Sequence, residues 1–314
     1  MKAQYARRLS GKAKSLFVLP KWRRSGVDAL MYEVYLWWRF CHYDIAATVL
    51  PCLAFTTAAW RTAYSGLGFS GLGVALVRSC ICFALFVYGF TLSNQLIGIE
   101  EDRANKPDRP LVAGICSPAG ARVRWVVVTL VTLVVGWWWN IGEWAACWLV
   151  LCVYNNFGGG GKHWFSKSLL VGLAMLVEMS AAWQLVTPLT GKAWTWIIFL
   201  SVAIFLLCPL ADLRDMVGDQ CIGRRTVPLV YGENVTRVWL SIGFSILPVA
   251  IVFVLLLPGG VTWYTVLCTI FQTAINGVMA WRVLFLRSVQ ADRYTYFFFF
   301  YWYTATLVWA IVLL

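Results

Sequence analysis

Apolar runs of about 18 to 26 residues, separated by charged or Gly- and Pro-containing loops, recur along the whole chain, and that is the length a hydrocarbon core of about 30 Å demands of a helix. Nine such segments are read, near 45–64, 72–97, 123–140, 143–157, 168–187, 194–212, 236–257, 261–281 and 294–314, the fourth being short. With 61% apolar and 13% charged residues, a soluble domain, a disordered chain, a collagen-like fibre and a nucleic-acid-binding module are excluded. The expected class is all-α: a polytopic membrane bundle of about nine transmembrane helices over 39–314, behind a basic cytosolic segment over 1–38. The ten cysteines include no C-x-x-C pair, and most lie inside apolar runs, so they read as small buried residues.

The cations behind the formal net charge of +12 sit mostly in loops. Of the 26 Lys and Arg, 23 fall in the N-terminal segment and in alternate loops, those over 98–124, 158–167, 213–237 and 282–293. The positive-inside rule therefore puts the N-terminus and these loops in the cytosol. The segment 1–38 carries Lys2, Arg7, Arg8, Lys12, Lys14, Lys21, Arg23 and Arg24 without an early apolar core, so it is not a signal peptide. The expected setting is a multi-pass protein of the endoplasmic reticulum, with the lipid bilayer as its medium and no nucleic acid or obligate protein partner.

Half of the fourteen carboxylates gather on the same basic face, as Glu100, Glu101, Asp102 and Asp108, then Asp212, Asp215 and Asp219. In the first group Asn94-Gln-Leu-Ile-Gly-Ile-Glu-Glu-Asp102 continues the second span. At the helical turn angle Asn94, Gly98, Glu101 and Asp102 project within a sector of about 100°. An amide and two carboxylates on one face suit Mg²⁺, a hard cation that takes a few oxygen ligands and shares the rest with water and phosphate. Pro107 and Pro110 end the helix and leave Lys106 and Arg109 beside the anion such a metal would hold.

In the second group Asp212, Asp215 and Asp219 fall at i, i+3 and i+7 on one stripe, where they repel unless a cation stands between them. Arg214 is expected to point away from that stripe. The turn Gly223-Arg-Arg-Thr-Val-Pro228 offers Arg224 or Arg225 as phosphate donors. One buried acid stands apart from both groups: Glu178 lies eleven residues into the fifth span, about 16 Å along the helix and near mid-bilayer. An ionisable residue there is a functional candidate by default.

Two acidic motifs at cytosolic helix ends, in a nine-span chain, resemble the UbiA superfamily of intramembrane prenyltransferases. The resemblance runs from Arg39 to the C-terminus. It implies an all-α UbiA-type bundle whose two aspartate-rich motifs bind a Mg²⁺–diphosphate. Asp212 to Pro228 is similar to the second motif with its trailing Gly-Arg-x-Thr-x-Pro, and Arg39-Phe40 to the entry arginine that contacts diphosphate. The first motif departs from the aromatic prenyltransferase pattern, because Gln95 and Gly98 stand where two acids are usual. Asn-Gln followed by Glu-Glu-Asp-Arg and Asn-Lys-Pro-Asp-Arg-Pro looks more like the fungal, bergamotene-synthase-like branch that cyclises prenyl diphosphates. Tyr154-Asn-Asn-Phe-Gly-Gly-Gly-Gly161 points the same way, with Lys162 or Lys167 in the role of the family's lysine.

The implied activity is a Mg²⁺-dependent terpene cyclase acting on a prenyl diphosphate, farnesyl diphosphate first. The alternatives are prenyl transfer to an aromatic or quinone-precursor acceptor and cyclisation of geranylgeranyl diphosphate. A transporter would more naturally show inverted repeats and broken helices at mid-membrane, and the sequence shows no such internal symmetry. The site implied is Asn94, Glu101, Asp102, Asp212, Asp215 and Asp219 for the metal, and Arg39, Lys106, Arg109, Tyr154, Lys162, Arg224 and Arg225 for diphosphate. Asp102, Asp215, Asp219 and Glu178 are the catalytic candidates.

Overall fold

The computed structural model describes the backbone of residues 26–314 and the side chains of all but 64–68, 104 and 105. The basic residues Lys2 to Arg24 lie outside the described residues. Among these there is no strand, only an isolated bridge between His163 and Arg225. A first helix α1 (Gly26–Cys41) runs through the expected boundary at residue 38 and carries Arg39 in its last turn. The rest are α2 (Ile45–Thr62), α3 (Tyr64–Ile97), α4 (Ile99–Asn105), α5 (Pro118–Trp138), α6 (Gly142–Asn156), α7 (Trp164–Gln184), α8 (Gly191–Leu207), α9 (Pro209–Cys221), α10 (Val227–Tyr231), α11 (Glu233–Ile251), α12 (Trp263–Phe285) and α13 (Val289–Leu313).

A helix occupies each of the nine apolar segments read in the sequence. Seven are long and apolar enough to cross a membrane on their own. The two outside that set are α2, diluted by threonines, Pro51 and Arg61, and α6, which has only 15 residues. The nine close into a ring in the order α2, α3, α5, α6, α7, α8, α11, α12, α13, with α13 returning to α2 and α7 reaching across to α2. The outer face is what lipid requires. On α5, Val123, Val126, Val127, Leu130, Val134, Trp137 and Trp138 are all exposed, at helical spacing. Inside, Phe55 packs on Trp183 at 5.1 Å and Phe299 stacks on Trp302 at 5.5 Å.

The short helices α4 and α9 pack on each other at one end of the ring, and α9 also packs on α13. Each continues a long helix after a break. Gly98 ends α3 by donating its N–H to the Asn94 carbonyl at 2.9 Å, so the second span and the first acidic motif are two helices and not the single continuous one expected. Cys208 likewise separates α8 from α9, where Pro209 starts the new helix. Ser117 caps α5 by accepting from the Gly120 N–H at 3.1 Å, which starts that span five residues earlier than its hydropathy suggests.

Candidate active site

Where α4, α9, α7 and α13 converge, a cavity of about 200 Å³ presents five cationic side chains, Lys106, Arg109, Lys167, Arg214 and Arg224. The acidic motifs stand mostly behind them. Arg109 Nη1 donates to both Asp102 oxygens at 3.0 and 2.9 Å and to Asn94 Oδ1 at 3.3 Å. Lys167 Nζ donates to Asp212 Oδ1 at 2.5 Å and lies 3.9 Å from Asp219 Oδ2. Arg224 Nη1 donates to Glu101 Oε1 at 2.8 Å and to Asp219 Oδ1 at 3.0 Å, so one guanidinium bridges the two motifs. Asp102, Asp212 and Asp219 are buried, whereas Asn94, Glu101 and Asp215 reach the cavity wall.

This geometry corrects two expectations. Arg214 does not point away from the aspartates: its Nε and Nη2 clasp Asp215 at 2.9 and 2.6 Å, and its guanidinium lies 4.1 Å over the Tyr296 ring. A long flexible side chain can fold back on its neighbour when an aromatic face on α13 holds it there. Asp102 does not face the cavity beside Glu101 either, because Arg109 draws it away from the wall. Burial pushes the Asp102 carboxyl above its ordinary range against the opposing pull of Arg109. Lys106 lines the cavity, and burial together with the charge of Arg109 holds its pKa below the ordinary lysine value. Burial disfavours the charge of Arg224, but Glu101 and Asp219 more than offset it and raise its pKa.

Four expected diphosphate ligands sit elsewhere. Tyr154 is half exposed, and its ring packs over Gly158 and Gly160, which have no side chain to obstruct it. The next residue on α6, Asn155, lines the cavity instead, about 100° further round the helix. Arg225 is exposed, with its backbone N–H on the Lys162 carbonyl at 2.8 Å. Lys162 faces a neighbouring pocket of about 240 Å³ on the far side of the Glu101–Arg224 pair. Arg39 donates to the Asp108 carbonyl at 2.6 Å and to Tyr35 Oη at 3.1 Å, off the cavity wall. Between the two lysines left open by the sequence, the cavity takes Lys167.

A second, apolar chamber of about 170 Å³ adjoins the first, and Asp44, Phe90, Asn155, Val171, Tyr296 and Phe300 line both. Trp148, Thr48 and Glu178 also line it, with apolar residues and Cys152 making up the rest. Both Glu178 oxygens are buried without a hydrogen-bond partner. The sequence reading missed Asp44, Asn155 and Tyr296. A polar residue just before or at the end of an apolar span was the available signal, and for Asp44 it is indistinguishable from a helix cap.

A cationic, acid-backed cavity joined to an aromatic chamber inside a ring of nine helices invites comparison with known proteins. The sequence profile of the UbiA prenyltransferase family matches residues 48–304. The chain belongs to the UbiA family. It is an integral membrane protein, with seven helices long and apolar enough to span among the described residues.

Among UbiA-family relatives, the chain is 39% identical over 285 residues to Somaliensene A/B synthase from Streptomyces somaliensis, covering 91% of this chain and 95% of that protein. It is 29% identical to diterpene cyclase eriG from Hericium erinaceus, covering 86% and 85%. Polyprenyl transferase eriF from the same fungus is 28% identical, covering 86% and 91%. In three dimensions a UbiA homolog from Archaeoglobus fulgidus bound to GPP and Mg²⁺ aligns with a TM-score of 0.61 at 14% identity, over 87% of this chain and 99% of that one. That likeness establishes the fold.

Proposed function

We propose that the protein is a Mg²⁺-dependent terpene cyclase that ionises a prenyl diphosphate and closes the released allylic cation to a cyclic hydrocarbon. The observation that carries this reading is the union of a five-cation cavity with an aromatic apolar chamber through shared side chains. Heterolysis of the C–O bond leaves diphosphate as a multiply charged anion, and preorganised Lys and Arg groups lower the barrier by meeting that charge as it develops. Lys106, Arg109 and Arg224 keep the diphosphate role expected of them, and Lys167 and Arg214 join them. The hydrocarbon tail then lies along Phe90, Trp148, Tyr296 and Phe300, whose faces stabilise a passing cation by about 0.5–2 kcal/mol each. The relatives named as a synthase and a cyclase support ring closure.

The donor chemistry fits a hard dication. Asn94, Glu101 and Asp215 line the cavity, and their amide and carboxylate oxygens are the ligand type a hard dication takes. Asp219 Oδ2 is buried without a hydrogen-bond partner. Among the described residues no three acidic, His or Cys side chains are gathered closely enough to hold an ion by themselves. The Arg224 guanidinium takes the shared position between the motifs. Asn94, Glu101, Asp212, Asp215 and Asp219 would hold the metal, with Asp102 fixing Arg109 from behind. When bound, Mg²⁺ supplies Lewis-acid neutralisation of the leaving diphosphate. Structures of the Archaeoglobus homolog with DMAPP or GPP and Mg²⁺ support that dependence.

Farnesyl diphosphate is the first substrate reading, in an endoplasmic-reticulum protein whose cavity mouth is cytosolic. A second reading, geranylgeranyl diphosphate, is favoured by the similarity to a diterpene cyclase across most of both chains. Transfer to an aromatic acceptor is favoured by the similarity to eriF. The test is to incubate the purified protein with each diphosphate and Mg²⁺ and no acceptor. Cyclic hydrocarbon from one of them establishes the cyclase and its chain length. Product formed only when an aromatic acceptor is added overturns it.

A further inference from the structure

Asp44 stands at the N-cap position of α2 yet makes no capping hydrogen bond. An aspartate there ordinarily accepts from the second or third N–H of the helix, a contact that stabilises it. Its Oδ2 is instead buried and without any hydrogen-bond partner. The residue lines the cationic cavity and the apolar chamber at once, a position it shares with Tyr296 and Phe300. A carboxylate aimed at the junction of a polar and an apolar compartment, at the expense of its own helix cap, is placed for something other than stability.

Every other carboxylate of the two motifs near the cavity is engaged. Asp102 is held by Arg109, Asp212 by Lys167, Asp215 by Arg214, and Glu101 and Asp219 by Arg224. Each of these acids has given its charge to a cation that faces the cavity. Glu178, at the apolar chamber, has free oxygens but no cation in an ion pair with it among the described residues. Asp44 combines both properties: an unpartnered oxygen, and a place in the lining of the same cavity as Lys106, Arg109 and Arg214. The Asp44 charge in turn contributes to raising the pKa of Arg109 against its burial.

Resting on the cyclase reading, we infer that Asp44 is the proton acceptor that ends the reaction. The cyclised cation loses H⁺ from a carbon next to the cationic centre to Asp44 Oδ2. The electron pair of that C–H bond becomes the new C=C bond and cancels the positive charge. Asp44 becomes the neutral acid and returns its proton to water or to the departing diphosphate as the cavity empties. Proton transfer to a positioned group contributes about 10²–10⁴-fold where no other acceptor is at hand. Here water and diphosphate compete for the same cation, so the effect of losing Asp44 is read in the product as well as in the rate.

The experiment compares wild type, Asp44→Asn and Asp44→Glu in lipid nanodiscs with the diphosphate the wild type cyclises, scoring products, kcat, KM and thermal unfolding. Asp44→Asn is expected to lower kcat about tenfold, hold KM within about twofold, and shift the profile to isomeric alkenes and water-captured alcohols. Asp44→Glu, which keeps the carboxylate one methylene further out, is expected to recover at least half of the rate with a changed alkene ratio. An Asp44→Asn enzyme with an unchanged profile overturns the inference, whether its rate falls or not; a fall with a tenfold higher KM would mark Asp44 as a positioning residue for the cation ring. If Asp44→Asn fails to unfold cooperatively, Asp44→Glu decides: an unchanged alkene ratio overturns the inference. A wild type that makes no hydrocarbon without an acceptor refutes the cyclase reading itself and the role of Asp44 with it.

Discussion

Lys167→Met removes the cation that serves two buried aspartates, and the structure sets the size of the effect. Asp212 accepts from Lys167 Nζ at 2.5 Å with its side chain 2% exposed, and Asp219 lies 3.9 Å away at 0%. Removing one partner of a buried pair costs about 3–5 kcal/mol, because the remaining charge stays desolvated. Two features place this case at the lower end. Asp219 keeps Arg224 at 3.0 Å, and Lys167 itself is 19% exposed. The expected loss is therefore about 3 kcal/mol, falling on Asp212, a shift of about a hundredfold in the folding equilibrium. Unfolding in mixed dodecylmaltoside–SDS micelles measures it. Adding Asp212→Asn to Lys167→Met removes the orphaned charge and should recover about 2 kcal/mol of that loss through coupling within the pair. A single mutant within about 1 kcal/mol of wild type, or strict additivity in the double mutant, would refute the claim that Lys167 holds the second motif together.

Asp215→Ala, or excess EDTA with the wild type, should abolish turnover while leaving thermal unfolding within a few degrees; full activity in either case removes Asp215 and the metal from the reaction. Lys106 predicts an alkaline limb: its pKa is lowered by burial and by Arg109, so the cavity loses a positive charge as pH rises through that lowered value. KM for the diphosphate should therefore climb below the pH at which an exposed lysine titrates, about 10.4, and Lys106→Arg should remove the limb. Tyr154→Phe should leave KM unchanged whereas Asn155→Leu raises it, as initial rates against substrate concentration will report.

The helical ring was legible because bilayer thickness fixes the length of each apolar run, and the two acidic motifs because seven acids in two short stretches stand out in a chain so poor in charge. What the runs could not convey was which cation each acid would meet. Asp102 meets Arg109 seven residues on, Asp212 meets Lys167 from another helix, and Arg224 joins motifs 118 residues apart from Glu101 to Asp219. Such pairings depend on ring order, which hydropathy does not encode. A single helical step separates Tyr154, outside, from Asn155, inside, and the glycine run gave no phase to decide between them. Asp44 was hidden by resembling the commonest reason for an aspartate at that place, a helix cap.

Glu178 tests where inside the ring the reaction is controlled. It lines the apolar chamber with Trp148 and Phe300, remote in sequence from both motifs, and both its oxygens are buried with no partner. An unsatisfied buried polar group costs about 1–3 kcal/mol. A packing residue would be expected to have shed that cost, and Gln, with nearly the same volume, should then be tolerated within about 1 kcal/mol of stability and with no change in product. A group that steers the cation behaves otherwise. Glu178→Gln should leave KM for the diphosphate within about twofold, because Lys106, Arg109, Lys167, Arg214 and Arg224 are untouched, and should change the ratio of cyclic products. Since Asp44 stands at the junction of the two chambers and Glu178 lines the apolar one alone, the two substitutions should alter different features. Asp44→Asn should shift the balance between alkene and alcohol, and Glu178→Gln the ring pattern. Identical profiles from Glu178→Gln and wild type would leave the aromatic wall of Phe90, Trp148, Tyr296 and Phe300 as the sole guide of the cation.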